Sequence, residues 1–281
     1  MGFHHRLLRI SGIVSFSLLI AACSSTPEPR EPDLPERTYY EQAQEALENG
    51  LPSTAIAHLK DLTARYPFGE YSTRAELDLI YAQIEANEHI AAHATAERFI
   101  KNNPEHHAID YVYYMRALST YYGSEGLFQS LFDLDPSERD SKELIKAFNE
   151  LADLTARYPE SEYAPDAKVR MHYLRELIAR HEVHVARYYL KRKAPLSALR
   201  RSQEVIQNYP SSPSIEEALA VSIQSYNDLE QTELAQSNLA VLKQNFPQSE
   251  FVDESGHFIA LELPSDADPG FLYWISFGLF D

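Results

Sequence analysis

The chain has 281 residues, with 42 acidic side chains against 25 basic ones and a formal charge of −17. Such a surface repels the phosphates of DNA and RNA, which excludes a nucleic-acid partner. A lone cysteine excludes a disulfide scaffold, and nine glycines are few, so the fold must rest on an apolar core.

In chain order, His4, His5, Arg6 and Arg9 form a basic start, Ile10 to Ala22 is apolar, and the small Ala21 and Ala22 precede Cys23. This is the layout of a secretory signal, with an apolar run shorter than the ~20 residues that a membrane-crossing helix needs. A cysteine directly after "IAA" resembles the lipobox of bacterial lipoproteins. The resemblance implies removal of residues 1–22, a lipid on the Cys23 thiol and on the new amine, and, with Ser24 following, delivery to the outer membrane. Each buried methylene contributes ~0.8 kcal/mol, so several acyl chains on one residue hold firmly. Cys23 is therefore the expected anchor, and its covalent lipid the expected sole attached group. Loss of Arg6 and Arg9 takes the formal charge from −17 to −19.

Residues 23–37 include "SSTPEPREPDLPER", proline-rich and without apolar periodicity, which predicts an extended linker. From Thr38 onward Ala, Leu, Glu, Gln and Arg dominate, as helix propensity demands. The body is expected to be all-α.

The prolines reveal an internal repeat. "LTARYP" ends at Pro67 and again at Pro159, with "FIKNNP", "VIQNYP" and "LKQNFP" ending at Pro104, Pro210 and Pro247. Twelve residues before each stands an alanine: Ala55, Ala92, Ala147, Ala198 and Ala235. Five before stands a larger apolar residue: Leu62, Phe99, Leu154, Val205 and Leu242. Eight before, the series is Leu59, Ala96, Leu151, Ser202 and Leu239. These offsets describe the second helix of a helical hairpin, closed by proline, at spacings near or above the tetratricopeptide period of about 34 residues. The prediction is a solenoid of about five tetratricopeptide-like hairpins. Residues 38–122 hold the N-terminal repeats, 123–142 a protruding loop, 143–249 the C-terminal repeats, and 250–281 an extension. "APDAKVRMHYLRELIARHEVHVARYYLKR" reads as one long first helix.

First helices line the concave face of such a solenoid, a surface for peptides or partner segments. Tyr81, Tyr111, Tyr113, Tyr114 and Tyr188 all fall on them, where they serve either that face or packing between helices. The pairs His89 and His93, His181 and His184, and His106 and His107 lack a third ligand or a catalytic glutamate, so no metal site is expected. With no phosphate loop and no nucleophile arrangement, the sequence predicts a protein that is not an enzyme and needs no cofactor.

Four stretches carry a wider resemblance: "RYPFGEYSTRAELDLIYA", "RFIKNNPEHHAIDYVYYMRAL", "DPSERD" and "VARYYLKRKAPLSALRR". Behind a lipobox and in this order, they resemble the BamD family of outer-membrane assembly lipoproteins. The resemblance implies a subunit of the machine that inserts β-barrel proteins into the outer membrane. Its implied partners are the POTRA region of the barrel protein BamA, other Bam lipoproteins and unfolded barrel substrates. By matching positions, Tyr66, Gly69 and Arg192 are the implied substrate-signal residues, and Arg201 the implied contact to BamA. A helix-end packing role for Tyr66 and a turn role for Gly69 fit the same residues. Arg201 falls in a basic run with Lys191, Arg192, Lys193 and Arg200, expected to seek carboxylates on a partner. Another tetratricopeptide lipoprotein, such as a pilus-secretin assembly factor, would share the anchor and the repeats but lack "RYPFG" and "DYVYYMR".

The extension departs from that pattern. "DPGFLYWISFGLFD" is largely apolar and aromatic from Phe271 to Phe280, too large a patch to leave in water; it is expected to cap the open face of the last repeat, the alternatives being the membrane interface, a partner or, against its final Asp281 and imperfect alternation, the substrate surface itself.

Overall fold

Five prolines end five helices in the same way. Tyr66, Asn103, Tyr158, Tyr209 and Phe246, each directly before a proline, leave the helix at φ between −126 and −132° and ψ between 48 and 71°. The clash of the proline ring with the preceding residue forbids a further helical turn. A computed structural model describes residues 34–125 and 141–263 of the chain, and within them these ends punctuate ten helices.

The helices pair as hairpins: α1 (Glu36–Glu48) with α2 (Pro52–Arg65), α3 (Ser72–Glu85) with α4 (His89–Asn102), and α5 (Ile109–Glu125) with α6 (Lys142–Arg157). α7 (Ala164–Lys191) then pairs with α8 (Pro195–Asn208), and α9 (Ile215–Asp228) with α10 (Thr232–Asn245). Each helix packs on the next in the chain, and α3 also touches α5 and α7 touches α9. First helices therefore stand beside first helices, as in a helical solenoid. The turns inside the hairpins use left-handed residues, Gly50, Asn87, Lys193 and Glu230, at φ of 68, 59, 55 and 61°. The residue after each bonds back five positions, for example Glu88 N to Gln83 O and Ala194 N to Tyr189 O, which closes the helix end.

The predicted core positions are the observed ones. Ala55, Ala92, Ala147 and Ala198 are wholly buried and Ala235 nearly so, as are Leu62, Phe99, Leu154, Val205 and Leu242 five residues before the prolines. In the third series Leu59, Ala96 and Leu151 are buried, Ser202 takes the same place by donating its hydroxyl to the Leu199 carbonyl, and Leu239 on the last helix is only partly buried. Full burial of a side chain such as Phe99 contributes roughly 1.5–3 kcal/mol. The all-α repeat architecture thus follows directly from the spacing.

Three boundaries differ from the sequence reading. Pro35 caps α1, so the helix starts at Glu36, and Leu34 already packs on the first core cluster. The last residues of the expected linker belong to the body. α5 continues through Gly123 to Glu125 and α6 opens at Lys142, so both edges of the expected loop are helical. Residues 126–140, with "DPSERD", lie outside the described residues, as do the leader, Cys23 and the tail from Pro264 onward.

The third difference is the cap. Residues 249–263 supply it: Phe251, Val252 and Phe258 pack on the Leu219, Ile223 and Leu242 cluster, and Val252 bridges Phe258 in an antiparallel turn. The chain then runs back toward the fourth hairpin, where Leu261 and Leu263 cover Ala186, Leu190 and Val221 and Arg187 donates to the Glu262 carbonyl at 2.7 Å. These residues cover part of the last repeat, whose helix still exposes Leu234 and Val241, and the expected cap at Phe271 to Phe280 lies outside the described residues.

Candidate functional site

The loops between hairpins share one construction with one exception. In each, the residue two after proline returns its N–H to the residue before it: Gly69 to Tyr66, His106 to Asn103, Ser161 to Tyr158, Ser212 to Tyr209 and Ser249 to Phe246. In four loops that side chain then accepts the N–H two residues on, at 3.2 or 3.3 Å, from Ala108, Tyr163, Ser214 and Phe251. Gly69 has no side chain to offer. The Glu36 carboxylate replaces it from α1, accepting the N–H of Tyr71 at 2.7 Å and of Glu70 at 3.1 Å, just ahead of α3. A helix start is the natural seat for an anion.

Tyr66 closes the same arrangement, donating its hydroxyl to the Leu34 carbonyl at 2.8 Å. Two of the three sequence-derived signal residues, Tyr66 and Gly69, are thus adjacent, and together they hold the chain's own Leu34–Glu36. Between them Phe68 stands 99% exposed, at a position that is Glu105, Glu160, Ser211 or Gln248 in the other loops. In the sequence Phe68 stands out only when the residues that follow the five prolines are aligned.

From this loop an aromatic and charged row crosses the first helices. Tyr40 lies 4.9 Å from Tyr71, under the Arg74 guanidinium, and donates to Asp78 at 2.8 Å beside Gln44. Burial pushes the Asp78 carboxyl up, opposed by those two hydrogen bonds and the Arg74 charge. Tyr111 is next, within electrostatic reach of Asp78, Tyr81 and Tyr163. Tyr114 stacks on Tyr163 at 4.9 Å and donates to Asp166 at 2.6 Å; burial and that bond push its hydroxyl up to about 12. Burial would raise the Asp166 carboxyl, but the Tyr114 and Arg170 bonds outweigh it and hold it low. Arg170 in turn lies over Tyr121 and Tyr122.

Tyr81, Tyr111 and Tyr114 therefore share one surface, with Tyr81 the most open at 42% exposure. Tyr113 does not belong to it: buried against Tyr158 under Arg116 and Arg157, it is a core residue. Tyr188 lies at the far end of α7, one turn before exposed Arg192, which caps that helix. Four helices, α3 to α6, lie between the Tyr66 and Gly69 loop and the helix that Arg192 caps.

Arg201 already has a carboxylate partner within the chain. It donates to Glu182 on α7 at 2.8 Å, and the Glu182 side chain is only 9% exposed. The bond to Glu182 raises the guanidinium pKa further. Its carboxylate partner is internal, within the fourth hairpin. His93 also has a partner the sequence concealed: it meets Glu150 at 2.8 Å, and Thr120 donates to the other Glu150 oxygen at 2.7 Å. Burial raises Glu150, yet these hydrogen bonds and the His93 and Arg116 charges bring it below its ordinary value.

Among the described residues, ten helices in hairpin register with an aromatic row across the first helices define a helical-hairpin repeat protein. No described helix is long and apolar enough to cross a membrane. The family profile described as "Outer membrane lipoprotein" (YfiO) matches residues 32–242. The chain belongs to this family. It is 36% identical over 236 residues to the outer membrane protein assembly factor BamD of Vibrio cholerae serotype O1, covering 84% of this chain and 97% of that protein. The BamD proteins of Xylella fastidiosa and Neisseria meningitidis serogroup B are 33% and 31% identical, covering 84% and 93% of this chain and 80% and 97% of theirs.

Proposed function

We propose that this protein is a lipid-anchored, non-catalytic subunit of the outer-membrane β-barrel assembly machine, scaffolding the complex at the periplasmic face and helping to recognise and insert unfolded barrel proteins. The observation that carries the reading is the near full-length similarity to assembly factors named BamD, on a fold whose first helices present Tyr81, Tyr111 and Tyr114. Barrel segments are aromatic and extended, and tyrosine faces beside arginines offer contact area at low entropic cost. In this reading Tyr66, Gly69 and Arg192 serve the substrate signal, and a signal that enters the Tyr66–Tyr71 loop exchanges with Leu34–Glu36. The fourth and fifth hairpins, with Arg201, face the POTRA region of BamA, and the anchor is the lipid on Cys23.

Affinity purification of the tagged chain from detergent-solubilised outer membrane tests this. Recovery of a POTRA-bearing barrel protein is expected. Recovery of a secretin without such a barrel overturns the reading.

A further inference from the structure

A polar bond clasps each of the last three hairpins at the same place in the repeat. Nine residues before the closing proline stand Glu150, Arg201 and Asn238. Thr120 of α5 donates to Glu150 of α6 at 2.7 Å, and Ser222 of α9 donates to Asn238 of α10 at 3.4 Å. In the fourth hairpin the direction is reversed and both groups are charged: Arg201 of α8 donates from Nη1 to Glu182 of α7 at 2.8 Å.

A clasp alone does not call for such a pair. Two opposite charges taken out of water gain little over a neutral contact of the same shape, and the neighbouring hairpins make do with a hydroxyl. The guanidinium differs in its spare capacity. A hydroxyl uses its only proton on the clasp, whereas an arginine carries several N–H groups in a flat fork. The Arg201 side chain stays 45% exposed, while that of Glu182 is 9% exposed. Ala179, Val183 and Ala186 around Glu182 on α7 are buried, which fixes the carboxylate where it stands. The pair has a rigid inner member and an open outer one.

We propose that Glu182 is a positioning residue for partner binding: it holds one edge of the Arg201 guanidinium and leaves the rest of the fork to a carboxylate on the partner. The contact rests on the function proposed above, in which Arg201 faces BamA; the part of Glu182 goes beyond it. An arginine pinned in advance loses less rotamer freedom when the partner arrives. A fork gripped at one edge can still pair with a second carboxylate along another, which a lysine ammonium, a point charge, does not do. Neighbouring Arg200 is exposed and adds to the pull of this spot on acidic groups, in a chain whose net charge is −17.

Titration of the full chain with purified BamA in detergent tests this. Glu182→Leu removes the acceptor and leaves unpaired only a half-exposed arginine, so helical circular dichroism should be unchanged while affinity falls about five- to tenfold. Glu182→Gln still offers an oxygen and should bind as the parent does. In an Arg201→Leu background, Glu182→Leu should weaken binding no further, because it acts through Arg201 alone. Arg201→Lys satisfies one carboxylate but not two, and should melt like the parent yet bind BamA more weakly. Parental affinity in Glu182→Leu overturns the proposal, as does a loss that is equal with and without Arg201, or parental affinity in Arg201→Lys. Should Glu182→Leu unfold, Arg201→Lys decides alone. If Arg201→Leu binds as the parent does, the contact assigned to Arg201 fails and Glu182 with it. A parent chain that does not bind BamA at all overturns the proposed function itself.

Discussion

The Glu36 carboxylate fills the space a β-carbon on Gly69 would need. It accepts the Tyr71 N–H that a serine or histidine accepts locally in the other three inter-hairpin loops and in the loop after the last hairpin. Gly69→Ser should therefore overpack the loop and cost about 1–3 kcal/mol in urea unfolding. Glu36→Ala alone should cost ~1 kcal/mol, the usual price of a lost helix cap. In the double variant the serine has room to accept the N–H itself, so it should be more stable than Gly69→Ser alone. Strictly additive penalties would show that the two residues do not compete for one place.

Arg201→Glu should lower the melting temperature, because it sets a second carboxylate against the nearly buried Glu182. Arg201 is itself almost half exposed, so the loss is on the order of 2 kcal/mol rather than the full cost of a buried pair. Adding Glu182→Gln should recover much of it. A weakened BamA interaction in Arg201→Glu is then informative only alongside that double variant.

Glu150 links the second and third hairpins through His93 and Thr120, and its carboxyl titrates below the ordinary 4.5. A folded-state pKa lower than the unfolded one contributes stability that is present above the unfolded value and lost as pH falls through the folded one. Glu150→Gln should thus be less stable than the parent at neutral pH by about 1.5–3 kcal/mol. Below about pH 4.5 the gap should close. A gap that stays constant down to pH 3 (thermal melts, matched ionic strength) would remove the ionised Glu150 from the account.

Deleting residues from Glu250 onward uncovers the cluster that Phe251, Val252 and Phe258 seal, and the melting temperature should fall sharply. Deletion from Ser265 onward leaves that cap whole and should cost far less. Equal losses would place the essential cap in the aromatic run after all.

Cys23→Ser should prevent lipid attachment and release the protein from the outer membrane. Labelled palmitate in the variant, or its retention in the membrane fraction, counts against the anchor.

The repeats were legible because helix packing is periodic: an alanine, a large apolar residue and a proline at fixed offsets mark the same contacts five times. What escaped the sequence is aperiodic and long-range. Glu36 finds Gly69 and His93 finds Glu150 across hairpins, Arg201 finds Glu182 across the two helices of one hairpin, and a charged side chain carries no sign of its partner in its neighbours. The cover from 249 to 263 carries no periodic mark either: Phe251, Val252, Phe258, Leu261 and Leu263 are spaced like neither helix nor strand. Tyr113 and Tyr114 are adjacent on one helix, so only the packing tells the core ring from the open one.

α7 belongs to two parts of the molecule at once. Leu174, Leu177 and Ile178 are bedded with the second and third hairpins, while Ala186 and Leu190 are bedded with the fourth and fifth. No glycine, and no proline beyond its first turn, interrupts it, so it behaves as a lever. Over a helix of roughly 42 Å, a tilt of about 10° moves the free end by about 7 Å. A partner pulling at Arg192 applies torque to the seat of Asp166 and Arg170, beneath Tyr114, without touching it. The seat of Asp166 and Arg170 beneath Tyr114 and the exposed Arg192 are thus two ends of one unbroken helix.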